Sequence, residues 1–195
     1  MPDKDYNIIL ASASPRRAHL LKGLGIEFEA EPSRVLERPH MDEAPGDYIT
    51  RIARAKVMEV ARTRRSGLVI GADTEVVLDG KILGKPADEQ DARRMLKMLS
   101  GKWHAVMTGL ALFDVATKRE AADYDKTLVR FAPMTDDEID WYVSSGEPFD
   151  KAGGYAIQGL AGLFVHEIAG NYFNVVGLPL PLLYRLARQL GFPLI

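Results

Sequence analysis

Residues 66–86 read SGLVIGADTEVVLDGKILGKP. Leu68-Val69-Ile70 and Val76-Val77-Leu78 are β-branched, apolar runs, and Asp79-Gly80 is a pair that accepts positive φ at both central turn positions. The stretch therefore reads as strand, turn, strand. Upstream, NIILA (Asn7 to Ala11) reads as a short buried strand, and Ser14-Pro15 as a helix N-cap and first helical residue. Leu20, Leu21 and Leu24 then form a helical stripe ended by Gly25. After a polar loop with Pro32, Pro39 and Pro45, a second helix is expected over about Asp47 to Arg64. Downstream, Asp88 caps a helix carrying Met95, Leu96 and Leu99, and closing near Gly101. Trp103 to Phe113 and roughly Ala122 to Phe131 read as longer strands. Thr135 and Glu138 form a capping box. Leu163 to Ile168 and Asn174 to Val176 read as short strands, and Pro181 to Leu190 as a last helix stopped by Gly191. This mixed order predicts an α/β or α+β domain around one sheet.

The whole chain of 195 residues offers no linker or internal repeat at which to cut it, so one domain, or one domain with two lobes, is expected. At 47% hydrophobic and 27% charged it is neither disordered nor low in complexity. The net charge of −2 gives no electrostatic footprint for broad nucleic-acid binding. The absence of cysteine removes disulfides, thiolate nucleophiles and cysteine metal sites together. The start, MPDKDYN, lacks a basic n-region, and no apolar run approaches the ~20 residues of a membrane span. A cytoplasmic protein without a membrane partner is expected.

Three places break local preference without a local gain. In Ser12-Ala13-Ser14-Pro15-Arg16-Arg17 both arginines fall in the first helical turn, where the helix dipole already presents partial positive charge. With free backbone amides and two serine hydroxyls this junction is an anion cradle suited to a triphosphate, unless both arginines simply point to solvent. Lys56 lies seven residues after Ile49, inside the apolar stripe of Ile52, Ala53, Val57 and Val60, while Arg51, Arg54, Glu59 and Arg62 occupy the polar face. It either snorkels at the edge of that stripe or meets an anion in a cleft. Asp73 interrupts the apolar runs of residues 68–78. At a strand end it could hold Mg²⁺ or take a proton from an attacking water; the alternative is an ordinary turn aspartate. Lys85, fixed between Gly84 and Pro86, could reach a phosphate.

Weaker signals surround these. Seven of the 17 glycines lie between Gly146 and Gly177, and Asp150 to Gly159 reads as a loop able to approach a ligand closely. Gln158, both donor and acceptor, suits the edge of a base. The four histidines show no metal-ligand spacing, and Trp103 and Trp141 read as core or interface. Neither a P-loop nor a dinucleotide fingerprint is present.

Taken together, Leu10-Ala11-Ser12-Ala13-Ser14-Pro15-Arg16-Arg17, Gly71-Ala72-Asp73-Thr74, Leu83-Gly84-Lys85-Pro86, Asp150-Lys151-Ala152-Gly153 and Tyr155-Ala156-Ile157-Gln158-Gly159 resemble the motifs of the Maf family of nucleoside triphosphate pyrophosphatases. The likeness runs from about Ile8 to Gly191. It implies an α/β fold like that of the inosine triphosphate pyrophosphatases, with a mixed central sheet, flanking helices and two lobes around a cleft. It implies metal-assisted attack of water on the α-phosphorus, with Mg²⁺ or Mn²⁺ as the cation, and a possible homodimer. By position Asp73 matches the proton acceptor, and Ser12, Arg16, Arg17, Lys56 and Lys85 the phosphate-handling residues, Lys85 alongside Asp73 in catalysis. Glu37 matches an acid near the metal; Arg16, Thr74 and Gln158 match positions tied to base preference. Arginine directly after Ser14-Pro15 resembles the branch that acts on dTTP and UTP. Glu75, Arg34 and the order of Gly154 and Ala156 depart from the pattern. The expected activity is hydrolysis of dTTP, UTP and modified pyrimidine triphosphates to monophosphate and pyrophosphate. A nucleotide-sensing regulator linked to cell division, with little turnover, is the rival expectation.

Overall fold

The computed structural model describes residues 7–194; the acidic start, residues 1–6, lies outside them. Strand β1 (Ile8–Leu10) leads into α1 (Pro15–Gly23), β2 (Glu29–Ala30) and α2 (Pro45–Ala61). Then come β3 (Leu68–Leu78), β4 (Lys81–Leu83), α3 (Glu89–Leu99), β5 (Trp103–Asp114) and β6 (Arg119–Phe131). After α4 (Asp136–Ser144) and three short 3-10 turns, β7 (Val165–Ala169), α5 (Tyr172–Val176) and α6 (Leu180–Gln189) complete the described chain. One mixed sheet runs in the order β2-β1-β3-β5-β6-β7, with β4 also paired to β3. Strand β1 is parallel to β2 and β3, with Leu10 opposite Ile70. Strands β3 and β4 are antiparallel, as are β6 and β7. The expected α/β architecture of a mixed sheet with flanking helices is what the chain adopts.

The chain divides into two compact units. The first gathers the chain up to Asp73, Thr108–Asp125 and the stretch from Gly177 onward. Its core packs Ile9, Val69, Ala111 and Phe113 against Ala53, Val57 and Val60 of α2. The second holds Thr74–Met107 and Lys126–Val176, around a core that includes Leu96, Leu99, Phe131, Tyr142 and Tyr155. Among the described residues no helix is long and apolar enough to cross a membrane.

Two contacts seat α2 inside the first unit. A Cβ on Gly71 of β3 would stand 2.6 Å from Val57 Cγ2 and 2.9 Å from the Ala53 carbonyl oxygen. A Cβ on Gly109 of β5 would collide with the backbone of Ile49. Bare backbone at both positions lets the helix lie directly on the strands.

Several local expectations need correction. The run of residues 68–78 is one continuous strand, so Asp73 stands in mid-strand rather than at a strand end or in a turn, and Glu75 does not interrupt it. Pairing to β1 at its start and to β4 at its end outweighs the low strand preference of Gly71 and Asp73. The turn falls at Asp79-Gly80, whose φ angles are 49° and 77°. Asn174 to Val176 belong to a short helix, not a strand. Asn171 Oδ1 accepts the Phe173 N–H at 2.9 Å. The buried Asn174 amide donates to the Val106 carbonyl at 2.9 Å and to Thr127 Oγ1 at 3.0 Å. Those fixed polar contacts override the β-propensity of two valines. Trp103 and Trp141 are half exposed rather than core, the former lying under the Arg130 guanidinium.

Candidate active site

Strand β1 ends in Ala11, and the chain turns through Ser12 and Ser14 into α1. Ser14 is the N-cap, its hydroxyl accepting the Arg17 N–H, and Pro15 opens the helix. Ser12 is buried. Its Oγ accepts the Ser14 N–H at 3.2 Å and Arg17 Nη1 at 3.1 Å. Two donors on one hydroxyl oxygen leave the Ser12 O–H to donate elsewhere. Arg17 Nε donates to the Gly177 carbonyl at 2.8 Å, which ties the first helical turn to the segment ahead of α6. Arg17 therefore does not wave in solvent. Burial lowers its pKa below the ordinary value, while the negative charges of Asp73 and Glu37 raise it and Arg16 lowers it further. Its charge persists, since the ordinary arginine pKa lies so far above neutrality.

The lysine on the apolar stripe resolves the second open choice. Lys56 is 7% exposed and does not snorkel. Its Nζ stands 2.8 Å from Asp73 Oδ1 and 2.5 Å from Glu37 Oε1. It also approaches the Ala72 carbonyl at 3.4 Å. Asp73 is 4% exposed. Its second oxygen, Oδ2, is buried and accepts no hydrogen bond among the described residues. A buried carboxylate thus has one oxygen held by an ammonium and the other available to a proton or a cation.

Glu37 reaches Lys56 from the long connection between β2 and α2. That connection is fastened to α2 by side chains rather than by a core. Glu59 accepts the Ser33 hydroxyl and the Arg34 N–H at 2.8 Å. These bonds hold the Glu59 carboxyl below the usual carboxylate range. Arg51 grips Glu43 through Nε at 2.6 Å and Nη2 at 2.7 Å. Its Nη2 also donates to the Arg38 carbonyl at 3.0 Å.

The family described as Maf-like protein matches residues 7–190. The chain belongs to the Maf family. A Desulforamulus reducens protein named dTTP/UTP pyrophosphatase is 49% identical to this Maf-family chain over 188 residues, covering 96% of it and 98% of the relative. One of the same name from Geotalea uraniireducens is 50% identical over 185 residues, covering 95% of each. Among solved structures, the Ham1 protein of Staphylococcus aureus matches with a TM-score of 0.52 at 14% identity, covering 94% of this chain and 98% of that one. At that identity the likeness speaks for the fold.

In this Maf-family chain Ser12, Ser14, Arg16, Arg17, Glu37, Lys56 and Asp73 all fall in the first unit. Ion pairs join Lys56 to both carboxylates, and a hydrogen bond joins Arg17 to Ser12. Thr74 follows Asp73 on β3 and is half buried; Lys85 and Gln158 are exposed residues of the second unit. The backbone ahead of Lys85 is anchored where the Gly84 carbonyl accepts the Gly153 N–H at 2.9 Å. Sequence reading missed Arg51, Glu43 and Glu59, which obey every local rule. A charge on the polar face of a helix carries no mark of the loop it will hold.

Proposed function

We propose that the chain is a nucleoside triphosphate pyrophosphatase acting on dTTP and UTP. Water attacks the α-phosphorus, the bond from that phosphorus to the α–β bridging oxygen breaks, and nucleoside monophosphate and pyrophosphate leave. The observation that carries this reading is the buried Asp73, with Oδ1 on Lys56 and Oδ2 without a hydrogen-bond partner among the described residues. Oδ2 is the open oxygen, placed to accept the proton of the attacking water or, in its stead, to bind a cation. Lys56 holds and orients the Asp73 carboxyl through Oδ1. Arg17, fixed by Ser12 and the Gly177 carbonyl, and Arg16 beside it supply positive charge toward the polyphosphate. The Ser12 and Ser14 hydroxyls and the amides of the first α1 turn add neutral donors. Roles for Lys85 toward the phosphates, and for Thr74 and Gln158 toward the base, rest on the resemblance to the family. The name shared by the two relatives at 49% and 50% identity supports the choice of substrate.

A divalent cation fits the carboxylates present. Asp73 Oδ2 is an orphaned, buried oxygen, and Glu37 is a second carboxylate turned toward the same ammonium. Among the described residues no group of three or more His, Cys, Asp and Glu side chains is poised for a metal. Asp73 and Glu37 would hold Mg²⁺ or Mn²⁺ only with phosphate oxygens and water completing its shell, which is the usual habit of Mg²⁺. When bound, such a cation polarises the phosphoryl oxygen and neutralises charge on the leaving group. The nucleotide is the sole partner this reading requires.

The test is a panel of nucleoside triphosphates with Mg²⁺ or Mn²⁺, assayed for monophosphate and pyrophosphate. Selective release from dTTP and UTP is the expected result. Tight binding without turnover, or release of orthophosphate, overturns the reading.

A further inference from the structure

The connection between β2 and α2, residues 31–44, has no regular strand or helix, and loops of more than about 12 residues without regular structure are usually functional or disordered. Packing does not hold it, since its large apolar residues Leu36 and Met41 are 68% and 93% exposed. Glu37, 38% exposed at the side chain, reaches Lys56 from this strap. The backbone on either side of it is held where the strap is fastened. One fastening is Glu59, which takes Ser33 and Arg34. A second on α2 is Arg51, which takes Glu43 and the Arg38 carbonyl, and just past α2 Arg64 holds Glu31 at the start of the strap. The two fastenings on α2 lie eight residues apart, about 12 Å along a helix. Lys56 stands between them in sequence. The Arg51 fastening begins one residue after Glu37, at the Arg38 carbonyl.

We infer that Arg51 is a positioning residue: by clamping Glu43 and the Arg38 carbonyl it holds the strap so that Glu37 meets Lys56 beside Asp73. The chemistry requires arginine. Its planar fork grips one carboxylate through two nitrogens and still spends Nη2 on a carbonyl, while lysine offers a single point of charge. The Tyr48 ring, with its centroid 5.6 Å from the guanidinium carbon, steadies the fork. The clamp is partly exposed, and a simple surface ion pair there would matter little; the bidentate geometry and the shared carbonyl set it apart. The inference deepens the proposed function and rests on Glu37 working in that site.

The experiment compares Arg51→Met, Arg51→Lys and Glu43→Gln, each alone and combined with Glu37→Gln. It measures kcat and KM for pyrophosphate release from dTTP with Mg²⁺, and backbone amide exchange over residues 34–43 without nucleotide. Arg51→Met should lower kcat/KM by about 10- to 100-fold, the scale of a misplaced catalytic group. Exchange at His40, whose N–H donates to Glu43 Oε2 at 3.0 Å, should quicken. Added to Glu37→Gln, the same change should cost less than about twofold more, because the group being positioned is already gone. Arg51→Lys should restore part of the rate and Glu43→Gln should lower it in the same direction. Glu43→Gln spares α2 and serves if Arg51→Met does not fold. A wild-type rate in both clamp variants, or a full multiplicative loss in the double variant, overturns the inference. A wild-type rate for Glu37→Gln overturns instead the place of Glu37 in the site, and the inference falls with it.

Discussion

Lys56 Nζ and Asp73 Oδ1 are 2.8 Å apart, each side chain less than a tenth exposed. The pair is made by packing. Helix α2 can approach β3 closely because Gly71, two residues before Asp73, has no Cβ to meet Val57 and the Ala53 carbonyl. The fold therefore brings a base candidate and a cation together from positions seventeen residues apart. The removal of two such charges from water costs several kcal/mol per ion, and packing alone gives no reason to retain them. A site that needs an oriented, ionised carboxylate does.

Asp73→Asn keeps the shape and the contact to Lys56 while removing the proton acceptor. Turnover of dTTP should fall by about 10³-fold or more, within the 10²–10⁴-fold range for loss of a general base and some cation binding besides. Nucleotide affinity measured by calorimetry should change by less than about fivefold, because the arginines and serines of the α1 cradle are untouched. Pyrophosphate release near the wild-type rate would remove Asp73 from the mechanism.

Lys56→Met leaves Asp73 buried without its cation. Breaking a buried pair by removing one partner typically costs about 3–5 kcal/mol. Urea unfolding at pH 7 should show a loss toward the lower figure, since the half-exposed Glu37 lets water approach. Asp73→Asn in the same background should recover part of that loss by removing the stranded charge. No recovery would mean that Lys56 contributes mainly through its aliphatic stem.

Gly71→Ala tests the contact that sets the pair. The added methyl would meet Val57 Cγ2 at 2.6 Å and a backbone oxygen at 2.9 Å, and the oxygen cannot turn away as a side chain would. Overpacking of this kind costs about 1–3 kcal/mol. The shift of α2 should also lengthen the reach of Lys56 to Asp73, so kcat should fall together with the unfolding midpoint. A stable variant with normal kcat would show that α2 has slack at this contact.

Much of this was legible in the sequence because it was written as local exceptions. Two arginines in a first helical turn, a lysine in an apolar stripe and an aspartate amid β-branched residues each violate a local preference, and the structure joins the lysine to the aspartate. Ser14 as N-cap, the Thr135–Glu138 capping box and the Asp79-Gly80 turn are contacts within a few residues, and all form as read. The misreadings involve partners far along the chain. Residues 174–176 became helical through Val106 and Thr127, and Asp73 stayed in mid-strand because β1 and β4 pair on either side of it. The Arg51 clamp was invisible for the same reason: its carboxylate belongs to a loop, and loops leave no periodicity to read.

His104 gives the second unit a pH-dependent stability that can be separated from the site. It is 3% exposed, its Nε2 shares a 2.6 Å hydrogen bond with the Tyr155 hydroxyl, and the Phe131 ring meets it edge-on. Burial lowers its pKa from 6.5 to about 4, against a smaller opposing effect of the Lys102 backbone. Burial also pushes the Tyr155 hydroxyl up, so both partners are neutral near pH 7. Well above pH 6.5 neither folded nor unfolded His104 carries a proton, and the contribution to stability is intact. As pH falls from 6.5 toward 4 the unfolded chain takes up the proton first, so stability drops, levelling off once the folded state is protonated too. The full loss is about 3 kcal/mol at the conversion of 1.36 kcal/mol per pKa unit. His104→Gln retains a polar partner for Tyr155 and cannot titrate. Urea unfolding of both proteins at pH 8 and pH 4.5 should show the wild type losing about 2–3 kcal/mol more than the variant over that interval. Equal losses in the two proteins would show that His104 is not held neutral in the folded state.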